Sequence, residues 1–276
     1  MNPNFPAASV FAGNIPGNYD RHLGPLLFEP YAIDLVARIN PTGITSVLEE
    51  ACGTGRLTRH LRKRLPSARL VGIDLNTDMI TIAKTIVNDN NIEWVRADMQ
   101  ALPFDSDSFD LVVCQCGVMF VPDKLKALQE VRRVLRRGGS FIFNTWDRIE
   151  YNGVPHIVNE VLKQFFPVNT PAFFQVPFCM DDKREIKNLL QQAGFSNSKI
   201  ESVKAEGRIT YAKDAAKGFV EGTPIYEEII KADPSLPGII QEAITQEIIK
   251  KYGNDPVISP LQAWVCEAKK ETDSRL

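Results

Sequence analysis

The sequence predicts an α/β fold, a mostly parallel sheet with helices on both faces. Three observations predict it. Apolar runs of strand length alternate with helical periods from residue 45 to residue 146. The first run, Ser46-Val47-Leu48, enters a turn with Gly53 and Gly55, and Leu57, Leu61 and Leu65 follow at i, i+4 and i+8. Strand, glycine turn and helix are the opening of a nucleotide-binding sheet. Three of the runs also end in an acid, at Glu49, Asp74 and Asp98. In a parallel sheet these acids project at one carboxyl edge, where ligands bind.

Each element has its own signal. Residues 1–18, rich in Pro, Gly and Asn, read as a mobile arm. Tyr31, Leu35, Val36 and Ile39 share one face of a helix over 28–39, which Asn40-Pro41-Thr42-Gly43 ends. Strands are expected near 45–49, 69–74, 92–96, 109–114 and 140–146. Helices are expected near 56–65, 77–88 and 123–137, with Gly138-Gly139 stopping the last. Past Trp146 the pattern changes. FFPVNTPAFFQVPF at 165–178 is dense in Phe and Pro. A helix over 185–195 closes at Gly194, a strand covers 198–209, and 213–252 is helical with Gly253 as its stop. A last strand covers 261–268. About 45 residues separate the final two strands, far more than a hairpin needs. An insertion of that length reads as a lid or binding element.

The glycine turn disfavours a dinucleotide. From Gly53 it reads G-T-G-R-L-T, which puts Thr58 where close helix packing asks for a small residue. Glu49 at the strand end repels a diphosphate and attracts a cation. S-adenosylmethionine carries a sulfonium and an ammonium, and the helix N-terminus near Gly55 offers N–H groups to its carboxylate. Asp74 lies about 20 residues past the glycines, the spacing at which a carboxylate meets ribose hydroxyls. Asp98 would accept from the adenine amino group. Charge-assisted hydrogen bonds contribute roughly 1.5–3 kcal/mol each. Three such anchors supply much of a micromolar affinity, about 8 kcal/mol. Glu50 is expected to be only a helix cap or a solvated turn residue. Met79 and Met99 also fit as ordinary core filler.

VLEEACGTG, GIDLNTDMI, RADMQALPFDSDSFDLVV and EVRRVLRRGGSFIF, in that order, closely resemble the motifs of class I S-adenosylmethionine-dependent methyltransferases. The nearest group is the small-molecule branch with the ubiquinone and menaquinone C-methyltransferases. The resemblance spans about 44–147. It implies a Rossmann-like, seven-stranded, mostly parallel sheet whose last two strands form an antiparallel edge. A helical and aromatic cap would be inserted after strand 5 and between strands 6 and 7. It implies that Glu49, Ala51, Gly53 and Gly55 line the methionine end of the cofactor. Asp74, Leu75 and Met79 would hold ribose and adenine, Asp98 and Met99 would flank the adenine, and Gln115 would lie beneath the methionyl part. Ala51 stands where the family usually has glycine, the smallest replacement available. The chain then divides into an N-terminal arm and cap helix (1–40), a cofactor-binding core (41–150), a cap insertion (151–184), a core continuation (185–212), a helical lid insertion (213–256) and a final core strand with tail (257–276).

Bulk properties narrow the partners. A net charge of −2 offers no general attraction to nucleic acid or anionic membrane. The one basic cluster, Arg56, Arg59, Arg62, Lys63 and Arg64, reads as a solvated helix face. No run reaches 18 apolar residues, and the N-terminus lacks a basic, apolar leader. The five cysteines have no metal-like spacing, so no metal is expected, and buried thiols suit a reducing cytoplasm. Methyl transfer is an in-line displacement that needs alignment, exclusion of water and sometimes a base. Tyr19, His22 and His156 are the candidate catalytic groups, while His60 is expected to be exposed. The aromatic cap points to a small, apolar or aromatic acceptor. Other readings stay open: an RNA or protein methyltransferase, a non-catalytic S-adenosylmethionine-binding or assembly protein, and a nicotinamide dehydrogenase. The acceptor, the atom methylated and the oligomeric state are not legible.

Overall fold

The computed structural model describes residues 15–168 and 170–272. Seven strands form one sheet in the order β3-β2-β1-β4-β5-β7-β6. They are β1 (Ser46–Glu50), β2 (Arg69–Asp74), β3 (Ile92–Arg96), β4 (Phe109–Gln115), β5 (Leu135–Trp146), β6 (Ser198–Ile209) and β7 (Val257–Lys269). The first five are mutually parallel; β7 runs antiparallel between β5 and β6. Strand order reverses between β1 and β4, which opens a crevice at their carboxyl ends.

Period-two alternation splits the core in two. Leu48, Val71, Val112 and Phe143 pack on one face of the sheet. Val47, Leu70, Leu111 and Ile142 pack on the other, with α2 (Glu29–Ala37) and α3 (Arg56–Arg64). α4 (Thr77–Val87) follows β2, and α5 (Lys124–Val134) precedes β5. The expected glycine stop at Gly138-Gly139 is corrected. α5 ends at Val134, and β5 starts at once. The pairing of β4 with β5 jumps from Leu135 to Ser140, so the two glycines sit in a bulge within the strand. Gly138 has φ +80°, and a Cβ on Gly139 would lie 2.8 Å from the Arg136 carbonyl.

The cap comprises α6 (Gly153–Phe165) after β5, and α8 (Ala212–Glu221), α9 (Ile225–Ala232) and α10 (Leu236–Tyr252) between β6 and β7. α7 (Lys183–Gln192) returns to the core before β6. The expected mobile arm falls partly outside the described residues, at 1–14. From Ile15 the chain is ordered differently from expectation: α1 (Ile15–Asn18) leads into a π-helix, Tyr19–Phe28, here called the roof helix. Pro25 explains its wide turns. It lacks an N–H and its ring crowds the carbonyl four residues back, so tight α pairing fails there. The Glu29 N–H accordingly reaches the Gly24 carbonyl, five residues back.

Candidate functional site

A cavity of about 380 Å³ opens at the carboxyl ends of β1, β2 and β4. That volume is within the usual range for a small-ligand site. Its floor contains Ala51, Gly53, Asp74 and Gln115, and one end contains Leu75, Met79, Asp98 and Met99. Tyr19, Leu23, Leu27 and Phe28 of the roof helix close it from above. The other end is walled by Phe120, Trp146, Phe173 and Phe178 of the core and cap, and by Phe219, Thr223 and Pro224 of the α8–α9 insertion. Of the lining residues, Leu75 and Phe120 are more than a third exposed.

The floor is built by Asp74. Its carboxylate accepts from the Gly53 N–H at 2.9 Å and the Asn76 N–H at 2.8 Å. Burial pushes its pKa up, and those hydrogen bonds oppose the rise. Asn76 in turn caps α4, accepting from the N–H groups of Asp78 and Met79. Gly53 has φ +53° and open space where a Cβ would point, so a ligand can approach its backbone. Asp98 is held by its own turn, accepting from the Gln100 N–H at 2.8 Å. Gln115 donates to the Phe28 carbonyl at 2.6 Å and so fastens the floor to the roof.

Two non-glycine residues at neighbouring strand ends, Ala51 (φ +49°) and Cys116 (φ +50°), hold left-handed conformations. A Cβ on Gly117 would lie 2.5 Å from the Ala51 Cβ, so glycine there makes room for alanine here. Cys116, Gly117 and Asn76 were not anticipated as lining residues. The one sequence signal for them is that each follows a strand end.

Several expected residues lie elsewhere. Glu49 does not line the cavity. It shares the Val47 face of β1, and its carboxyl is buried near Thr58 of α3. Burial pushes its pKa up to about 8; hydrogen bonding from Thr58 lowers it and the Asp74 charge raises it. Glu50, expected to be solvated, is fully buried, and neither carboxyl oxygen has a partner among the described residues. Gly55 serves packing: its φ is +80°, and a Cβ would lie 2.7 Å from Val87 of α4. His22 faces α8, where a Cβ on Gly218 would lie 2.7 Å from its own Cβ; burial pushes its pKa down. His156 lies within α6, off the lining. Tyr19 alone of the catalytic candidates lines the cavity, with its ring 5.0 Å from that of Phe28. Burial drives its phenol pKa far upward, so it is a hydrogen-bond donor rather than a base.

The basic face is corrected in part: Lys63 and Arg64 are exposed as expected, but other members are engaged. Arg56 pairs with Asp20 at 3.0 Å and Glu29 at 2.7 Å, and Arg62 pairs with Asp89 at 2.9 Å. His60, expected to be exposed, lies 2.8 Å from Glu29. Asp74 and Asp98 are the only charged residues on the cavity lining among the described residues. The described residues contain no group of three or more metal-ligating side chains.

Comparison with known proteins agrees with this geometry. Residues 48–143 match the family described as a methyltransferase domain. The chain is 29% identical over 208 residues to a demethylmenaquinone methyltransferase of Staphylococcus saprophyticus, covering 68% of this chain and 88% of that one. A putative methyltransferase from Bacillus halodurans superposes with a TM-score of 0.57 at 20% identity, over 87% of this chain and 99% of that one. A Haemonchus contortus phosphoethanolamine N-methyltransferase solved with S-adenosyl-L-methionine gives 0.62 at 15% identity, over 99% of this chain and 62% of that one. At these identities the two structures establish the shared fold.

Proposed function

We propose that the chain is an S-adenosylmethionine-dependent methyltransferase and that it methylates a small, neutral, apolar or aromatic molecule held beneath the roof helix. The carrying observation is the division of the cavity. Its polar end, with Asp74 and Asp98, suits the cofactor; its other end is almost wholly aromatic and aliphatic. Ala51 and Gly53 would hold the cofactor's methionine end, Asp74 would accept from its ribose hydroxyls, and Met79 and Met99 would flank its adenine. The fit is direct: Gly53 leaves open space, and the Asp74 carboxylate lies on the lining. When bound, the cofactor supplies an electrophilic methyl group.

The chain's own residues then orient and exclude. The rings of Tyr19, Phe28, Trp146 and Phe178 form a continuous series with centroids 5.0, 6.2 and 6.3 Å apart. Such a series suits a planar acceptor, and relatives named demethylmenaquinone methyltransferases support that class. The roof keeps water from the sulfonium. Among the described residues no carboxylate or imidazole lines the acceptor end. Tyr19, on the lining, is the proposed hydrogen-bond donor to the acceptor. Net charge −2 and a roofed cavity favour this acceptor over RNA or protein. The five free thiols suit the cytoplasm. The test is turnover of methyl-labelled S-adenosylmethionine with cell extract. Label should enter the organic-soluble, low-mass fraction; label confined to RNA or protein would contradict the reading.

A further inference from the structure

One guanidinium grips both ends of the roof helix. Arg56 Nη2 donates to the Asp20 carbonyl at 2.9 Å and to its carboxylate at 3.0 Å, at the start of the roof. Arg56 Nη1 donates to the Glu29 carboxylate at 2.7 Å, one residue past the roof's end. Thr54, in the glycine turn, donates to the same Asp20 carboxylate at 2.8 Å, and His60 meets the other oxygen of Glu29 at 2.8 Å. The arginine side chain is only 13% exposed and Asp20 17%. Gly24, midway along the roof, completes the seat: any Cβ there would collide with the Arg56 guanidinium.

Arg56 is also the first residue of α3, directly after the turn whose Gly53 lines the cavity floor. Arg56 therefore holds roof and floor in register, with the Thr54–Asp20 bond and the Gln115 bond to the Phe28 carbonyl beside it. On its other flank the roof packs closely on α8, where Gly218 and Gly222 admit His22, Leu23 and the Tyr19 backbone, and Asn18 at the head of the roof donates to Glu221. Ion pairs at partial exposure break and reform more readily than packed apolar contacts. The Arg56 side is thus the face of the roof that is built to part.

We propose that Arg56 is a positioning residue, a latch that holds the roof helix shut over the cavity by bridging Asp20 and Glu29, and so sets the rate at which cofactor enters and leaves. The proposal rests on the reading of the cavity floor as the cofactor site. Lysine cannot replace it, because one ammonium lacks the planar fork that spans both partners.

Cys116 reports on the latch without any ligand. It lines the cavity beneath the roof at 7% exposure, so its reaction with a maleimide quickens when the roof opens. Cys266, fully buried in β7, reports unfolding of the sheet instead. Labelling of each thiol is followed by mass spectrometry in the wild type, in Arg56→Met and in Gly24→Ala, which displaces the guanidinium while keeping its charge. Expected is roughly tenfold faster labelling of Cys116 in both variants, with Cys266 unchanged. Dissociation of S-adenosylhomocysteine should accelerate by a similar factor. Adding Asp20→Asn to Arg56→Met should change neither rate much further, because the pair is already broken. Unchanged Cys116 labelling, or equal acceleration at Cys116 and Cys266, would overturn the latch. Absence of S-adenosylhomocysteine binding by the wild type, with Cys116 selectively unmasked in the variants, would leave the latch standing and overturn the cofactor reading.

Discussion

At the scale of the residue, Asp74 carries two functions on one carboxylate. It braces the glycine turn through Gly53 and presents its remaining acceptor capacity to the cavity. Asp74→Ala should weaken cofactor binding about 30- to 150-fold, or roughly 2–3 kcal/mol, by calorimetry. Glu49 makes a separate prediction. Its folded pKa of about 8 stands above the ordinary value of 4.5, so the folded state holds the proton more tightly. Its contribution is fully present below pH 4.5 and is lost as pH rises towards 8. Glu49→Gln should remove up to about 1.4 kcal/mol per pH unit from the slope of stability in that window, read by urea unfolding. A slope unchanged by the substitution would refute the buried assignment. Ala51→Gly should be neutral or stabilising by about 1 kcal/mol, since it relieves a left-handed alanine. These residues also mark where reading the sequence stopped. The acid at a strand end was legible, but whether it points outward or into a helix face depends on the pleat. Alternation sends Glu49 toward Thr58 and Glu50 to the opposite face, and no local signal announces either.

At the scale of the element, the sheet and its helices followed from periodicity, because the central strands β1, β2 and β4 are buried on both faces, β6 alternates, and the helices flanking them are apolar on one side. The roof helix did not. Pro25 and the Asn/Gly-rich approach to it read as loop chemistry, and a π-helix stabilised by Arg56, Gln115 and α8 has no local period to betray it. Its close seating can be tested. A Cβ on Gly207 of β6 would strike the Leu26 carbonyl, a backbone atom that cannot step aside. Gly207→Ala should destabilise the protein by about 1–3 kcal/mol. A melting temperature equal to that of the wild type would show that the roof does not rest on β6.

At the scale of the whole molecule, the two ends of the cavity come from different parts of the chain. The end proposed for the cofactor is built from residues 51–115, the stretch whose motifs were recognisable; the end proposed for the acceptor is built largely from the cap, whose Phe and Pro content was visible but whose convergence was not. The ends should therefore respond independently. Phe219→Ala should raise the acceptor KM about tenfold while cofactor affinity stays within about twofold, since an aromatic side chain in a pocket is worth a few kcal/mol at most. A parallel loss of both would mean that α8 supports the whole site rather than one wall. The central claim is that this cavity is an S-adenosylmethionine site, and it is tested most directly by calorimetric titration with S-adenosylmethionine, S-adenosylhomocysteine and NAD. The structure predicts micromolar binding of the first two and none of NAD, with both weakened together about 30- to 150-fold by Asp74→Ala. Binding of NAD, or of none of the three by a folded protein, would contradict it.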